Sequence, residues 1–150
     1  MKSPDTYHAL TAATAKWAEA FTDDTPERLL ALYDQEAVLL GTFSPKRRDN
    51  PKAIRNYFVD VFAALPGHKV SFGHQLIRVY GDTAINTGDY TFSYIRDGEI
   101  KTVPARYSFT YFDRGGQWMI VDHHSSAMPT PFEELDRSRE SPYIAWRYAV

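Results

Sequence analysis

Apolar residues recur at three- and four-residue steps through the first part of the chain and at two-residue steps after Gly67. The first pattern predicts helices and the second predicts strands. Leu10, Ala13, Trp17, Ala20 and Phe21 form one stripe on a helix from about Thr6 to Phe21, with Ser3 as its cap and Pro4 in the first turn. A second short helix is expected from Thr25 to about Tyr33, with Leu29, Leu30, Leu32 and Tyr33 as its buried side. A third is expected from Pro51 to Leu65. Asn50 caps it, and Ile54, Tyr57, Phe58, Val61 and Phe62 make its apolar face. Pro66-Gly67 stops it.

Between the second and third helices, residues 37–42 read as a short strand. Four long strands follow, over residues 69–80, 83–95, 99–113 and 117–126. Gly81-Asp82, Asp97-Gly98 and Gly115-Gly116 supply the turns between them. Helices first and antiparallel strands afterwards make an α+β fold. Strands of a dozen residues in a small sheet must twist and curl. A curled sheet closed by about three N-terminal helices is expected to form a cone-shaped barrel with one open mouth. Residues 1–129 make the domain. Residues 130–150 form an extension whose aromatic end, Tyr143 to Tyr148, is expected to pack on the domain or on a dimer partner.

Composition narrows the function. The 150 residues carry a net charge of −2, so nothing global draws the chain to nucleic acid or to an anionic membrane. Lys46-Arg47-Arg48 reads as a solvated loop. The chain has no cysteine, which excludes disulfides, thiolate catalysis and most structural zinc sites. The N-terminus lacks a signal-peptide core and no apolar run is long enough to span a bilayer. A cytoplasmic protein is the expectation. Ten tyrosines and nine phenylalanines are enough to line a cavity as well as a core.

Candidate chemistry concentrates at His123-His124-Ser125-Ser126, where the last strand ends. Adjacent strand residues face opposite ways. Met119, Val121, His123 and Ser125 therefore share one face, and Trp118, Ile120, Asp122, His124 and Ser126 the other. One small ligand cannot meet both histidines unless a bulge intervenes, which argues against zinc held by this pair. Each histidine alone could equally be a hydrogen-bonded strand residue. Three further positions complete the candidates. Thr42 leaves a short strand just after Gly41, Tyr57 carries a buried phenol in the third helix, and Arg106 sits in a central strand, either snorkelling outward or meeting an anion inside.

Three segments carry a resemblance: Gly-Asp-Thr-Ala at 81–84, Ala-Arg-Tyr-Ser-Phe-Thr-Tyr at 105–111, and Trp-Met-Ile-Val-Asp-His-His-Ser-Ser-Ala-Met-Pro at 118–129. They resemble the SnoaL-like branch of the nuclear-transport-factor-2-like (NTF2-like) superfamily, in the group related to the kinase association domain. His-His-Ser-Ser-x-Met-Pro is similar to the hallmark of iota-class carbonic anhydrases, and Val38 to Ser44 and Tyr57 match that class. The resemblance covers about residues 6–129. Gly41 and Phe43 depart from it, standing where better-known members have proline and valine.

The resemblance implies a dimeric cone with an internal pocket in which carbon dioxide is hydrated to bicarbonate. Thr42, Tyr57 and a serine of the terminal pair, Ser125 or Ser126, would hold the anion. His123, or His124 if the strand bulges, would serve as base. No cofactor is expected. Some members are described as metal-dependent, and a divalent metal stays open on that ground. The partners expected are carbon dioxide and bicarbonate and a second copy of the chain, with no nucleic acid and no membrane. Two rival functions remain. One is an isomerase or cyclase of a lipophilic carbonyl compound, which needs a carboxylate base such as Asp60, Asp89 or Asp122. The other is a non-catalytic ligand-binding oligomerisation module, which Arg106 inside the cone would favour.

Overall fold

The computed structural model describes residues 3–132 and 134. The chain runs α1 (Pro4–Ala20), α2 (Glu27–Leu30), β1 (Tyr33–Leu40), β2 (Arg47–Arg48), α3 (Pro51–Ala64), β3 (Lys69–Tyr80), β4 (Thr83–Arg96), β5 (Glu99–Arg114) and β6 (Gln117–Ala127). The expectation for the packing of residues 135–150 lies outside the described residues.

The six strands form one sheet in the order β2-β1-β6-β5-β4-β3. From β6 outward to β3 every pairing is antiparallel between chain neighbours. The α+β architecture is as expected, but the barrel is not closed: β2 and β3 are edges. The sheet curves over α1 and α3, and these helices cover its inner face. Two irregularities help bend it. In β3, Gly73 and His74 together oppose Asp89, between the pairs Phe72 with Tyr90 and Gln75 with Gly88. The bulged backbone crosses so close to Gly88 that any side chain there would run into the His74 carbonyl. In β6, Val121 is the extra residue between the pairs Thr110 with Asp122 and Tyr111 with Ile120.

The second bulge corrects the expected alternation. Ile120 is buried on the same face as His123 and Ser125, although they are an odd number of residues apart. The two faces of β6 exchange at Val121, upstream of the histidines. His123 and Ser125 therefore stay together on the inner face, and His124 and Ser126 are exposed on the outer one.

Three local expectations are corrected as well. The segment after α2 is not helix to Tyr33: Tyr33 opens β1 and pairs in parallel with β6. A parallel neighbour is invisible to local periodicity, because its partner lies some ninety residues away. Arg47-Arg48 is a two-residue edge strand against Leu39-Leu40 rather than a free loop. Ser3 precedes α1 but its side chain makes no capping bond.

Asn50 does cap α3, accepting the Ala53 N–H at 2.9 Å. The apolar face of that helix is the expected one: Ile54, Tyr57, Phe58, Val61 and Phe62 are all buried. Removing the cap leaves an amide at the helix start without its acceptor. Asn50→Ala is expected to lower stability by about 1 kcal/mol in urea unfolding, with an unchanged denaturant slope.

Candidate functional site

The curve of the sheet, the end of α1 and the middle of α3 enclose one small cavity. Its wall is mostly apolar: Trp17, Phe21, Leu39, Phe58, Val61 and Phe92. The polar groups that reach it are Thr42, Tyr57, Tyr90, His123 and Ser125. About 10 Å³ is open to the centre of a water molecule, the size of one bound water. Thr42, Tyr57, His123 and Ser125, which come from three parts of the sequence, thus meet at one place. Ser126 does not join them. It lies on the outer face beside Arg106, Ser108 and His124.

Each side chain arrives for a local reason. Thr42 lies two residues past the end of β1, where the chain leaves the sheet. Its hydroxyl bonds Ser125 Oγ. Tyr57 is held on the inner face of α3, and its hydroxyl accepts the backbone N–H of Phe43 at 3.3 Å. That approach requires Gly41, because a Cβ there would overlap the Tyr57 ring. Burial pushes the Tyr57 phenol up to about 12, against the pull of the Phe43 amide and the Arg48 charge.

His123 is deeper. Its ring is fully enclosed, stacked on Phe109 at 4.1 Å between centroids and edge-on to Trp17. Both ring nitrogens are engaged: Nδ1 lies 2.8 Å from the Tyr33 hydroxyl and Nε2 lies 3.1 Å from the Tyr90 hydroxyl. Trp17 Nε1 donates to the same Tyr33 hydroxyl at 3.0 Å, and the Tyr90 hydroxyl donates to Ser125 Oγ at 2.5 Å. Burial first, and the neighbouring His124 second, push the His123 imidazole down to about 3. This changes the role expected of His123. A neutral ring with no free nitrogen lone pair cannot take a proton from water at neutral pH. It is a fixed link between two tyrosines.

Three members of this arrangement carry no local mark of a site: Trp17, Tyr33 and Tyr90. Trp17 has the spacing of a core position, and Tyr33 continues the apolar side of the preceding helix. Tyr90 had a usable signal, since it shares the inner parity of β4 with Ala84 and Asn86, both fully buried.

The remaining candidates lie elsewhere. Asp60 and Asp122 are exposed. Asp89 packs on Gly73 beside His74, away from the cavity. No carboxylate lines the cavity. Arg106 is exposed on the outer face, not inside. Arg48 differs from the solvated reading: it is half-buried over the Tyr57 ring, donates to Ser44 Oγ at 3.2 Å, and with Lys46 makes the outer wall of a pocket sharing Phe43 and Tyr57 with the cavity. A divalent metal in the cavity would find hydroxyls and one imidazole with both nitrogens committed, a donor set that suits neither zinc nor a carboxylate-loving ion. Among the described residues, no helix is long and apolar enough to cross a membrane.

Comparison with known proteins places the chain. Residues 7–129 match the family model of the calcium/calmodulin dependent protein kinase II association domain. The chain belongs to that family. A candidate association domain from Xanthomonas campestris is 34% identical, with a TM-score of 0.75 over 81% of this chain and 87% of that one. A candidate aromatic ring hydroxylase from Novosphingobium aromaticivorans is 22% identical, with a TM-score of 0.76 over 86% of this chain and 94% of that one. A candidate dehydratase of the NTF2-like family from Streptomyces avermitilis is 14% identical, with a TM-score of 0.73 over 85% of this chain and the whole of that one. The last two share the fold. No curated protein matches the sequence. The association-domain fold is thus an NTF2-like one, in line with the resemblance read from residues 81–129.

The buried imidazole makes a direct prediction. The His123 ring resonances are expected to stay flat between pH 5 and pH 8 in an NMR titration. Stability moves with the same group. The unfolded histidine takes up a proton as pH falls below about 6.5, and the folded one does not until about pH 3. His123 therefore favours folding most above pH 6.5 and loses that contribution progressively toward pH 3. Urea unfolding at pH 5 should show about 2 kcal/mol of this loss relative to pH 7.

Proposed function

We propose that the cavity hydrates carbon dioxide to bicarbonate, as the sequence resemblance to iota-class carbonic anhydrases implies. The observation that carries this reading is the meeting of three neutral hydroxyls, on Thr42, Tyr57 and Ser125, in an apolar space the size of one water. The one-water space suits the attacking water, and carbon dioxide, small and apolar, meets it past Phe43 and Val61, which the cavity shares with the outer pocket. Bicarbonate offers three acceptor oxygens and suits clustered O–H donors.

The chemistry has to proceed without an ionised base, because His123 and the phenols are all held neutral at pH 7. A hydroxyl relay meets that condition. The oxygen of an oriented water attacks the carbon of carbon dioxide. As that bond forms, the water gives one proton to a hydroxyl of the Thr42–Ser125 pair, and the pair gives its own outward proton to a carbon dioxide oxygen. One C=O π pair becomes the new O–H, so carbonic acid forms with atoms and charge in balance, and it ionises on release. Orientation is the main source of acceleration. A modest enzyme is expected, because nothing lowers the pKa of the water as zinc would. Lys46 and Arg48, set against the single carboxylate of Asp60, leave the outer pocket net positive toward a departing anion.

Stopped-flow carbon dioxide hydration tests this reading. The purified protein is expected to accelerate hydration, and to keep that activity after exhaustive chelation. Thr42→Ala and Ser125→Ala should each cost about 10²-fold in kcat/KM while leaving the circular dichroism spectrum intact. Activity lost on chelation and restored by one metal would discard the hydroxyl relay. Unchanged activity in both variants would discard the site.

A further inference from the structure

The polar groups behind the cavity admit one consistent arrangement of protons, and it starts at Trp17. An indole nitrogen can only donate. Tyr33 Oη therefore accepts from Trp17 Nε1, 3.0 Å away. Tyr33 has a single proton of its own, and its other partner is His123 Nδ1 at 2.8 Å. If Nδ1 carried the ring proton instead, the buried Tyr33 hydroxyl would accept twice and its own proton would have no acceptor among the described residues. Nδ1 is thus the bare nitrogen, and the ring proton is on Nε2. Nε2–H donates to Tyr90 Oη at 3.1 Å. That leaves the Tyr90 proton for Ser125 Oγ, at 2.5 Å.

Counting then settles the end of the chain. Ser125 and Thr42 hold two hydroxyl protons, and one closes the bond between them whichever side donates. When Thr42 donates, the Ser125 proton is left for the cavity; when Ser125 donates, the Thr42 proton is left, with the Tyr90 oxygen as its one competing acceptor. With the opposite histidine tautomer the count changes. Tyr90 would give its proton to Nε2, Ser125 would give its proton to Tyr90, and Thr42 would give its proton to Ser125. The pair would then offer the cavity lone pairs only. Tyr57 adds a donor in either case, because its oxygen accepts the Phe43 amide and its proton is not spent there.

We propose that Trp17 and Tyr33 are positioning residues that fix His123 as its Nε2–H tautomer, so that the Thr42–Ser125 pair presents an O–H and the cavity receives ligands with acceptor oxygens, bicarbonate among them. The ligand class rests on the carbonic anhydrase reading, and the tautomer does not.

The test begins with the ligand-free protein. Long-range proton–nitrogen NMR on histidine-labelled protein, with His123 assigned through its contacts to Phe109, reads the tautomer directly. Nε2–H in the wild type is expected, with Nδ1 carrying the signature of an accepted hydrogen bond. Tyr33→Phe is expected to move the Nδ1 resonance toward that of a nitrogen without a donor while Nε2 keeps its proton, because an Nδ1–H would face an apolar ring. Nδ1–H in the wild type, or an Nδ1 resonance unmoved by Tyr33→Phe, overturns the proposal. Should Tyr33→Phe fail to fold, the wild-type spectrum alone can still overturn the assignment. Bicarbonate titration, followed on the backbone amides of Thr42 and Ser125, is expected to give about tenfold weaker binding in Tyr33→Phe. Equal binding, or none to either protein, overturns the ligand class. A wild type in the Nε2–H form that hydrates no carbon dioxide would count against the enzyme reading and leave the positioning role standing.

Discussion

The indole of Trp17 is the point on which the site depends. It is buried against the sheet, packs on Phe21, Tyr90, Phe109 and His123, and spends its one polar hydrogen on Tyr33. Through Tyr33 it holds the start of β1 against His123 of β6, and through His123 it reaches Tyr90 of β4. Three strands far apart in sequence are thus tied to one helix by a single file of hydrogen bonds. Each member is buried, so a broken link would strand its partner without water, at a cost of about 1–3 kcal/mol per group. α1 repeats the device one turn earlier. Thr14 receives the side-chain amide of Asn86 at 3.0 Å, lies 2.8 Å from the Tyr111 hydroxyl, and returns its own proton to Leu10. Asn86 in turn accepts from Tyr107 and donates to Gln75. Two polar files, three residues apart on one helix face, set how α1 sits in the curve of the sheet.

The same burial that holds the site together limits its chemistry. Enclosure lifts the phenols of Tyr33, Tyr57 and Tyr90 and lowers the imidazole of His123. No group in the cavity changes charge near neutral pH. A site of this kind works by holding oxygens and protons in place rather than by ionising. That suits a reaction whose reactants are neutral and whose proton transfers can run in a ring. It suits poorly a reaction that needs a carboxylate to remove a proton from carbon, and Asp60, Asp89 and Asp122 all lie outside the cavity.

Much of this was legible in the chain. The helix faces were carried by three- and four-residue steps, and the apolar face read for α3 is the buried one. Strand parity paired His123 with Ser125 because the bulge falls before them, at Val121, and not between them. What was not legible is long-range. Tyr33 belongs to a strand whose parallel partner is β6, and no local pattern announces such a neighbour. Thr14 looks like a polar interruption of a helix stripe until Asn86 and Tyr111 are placed opposite it. Tyr90 is one of ten tyrosines, and only its register, beside Phe72 and Ala105 on the inner face, separates it from the rest. The edge pairing of Arg47-Arg48 was hidden by charge. Two arginines beside an aspartate read as solvent-facing, yet Arg48 lays its guanidinium over the Tyr57 ring.

Gly41 shows how one backbone position shapes the cavity. The Tyr57 phenol lies directly against it, closer than any side-chain carbon would allow. That contact lets the hydroxyl reach the Phe43 amide, and the amide in turn fixes the phenol oxygen as an acceptor so that its proton points elsewhere. Any other residue at the same position would put a Cβ where the ring now sits. The ring would have to withdraw along α3, and its hydroxyl would move with it. The placement of the third hydroxyl relative to Thr42 and Ser125 is therefore set by the absence of a side chain at residue 41. A change there would reshape the cavity through Tyr57.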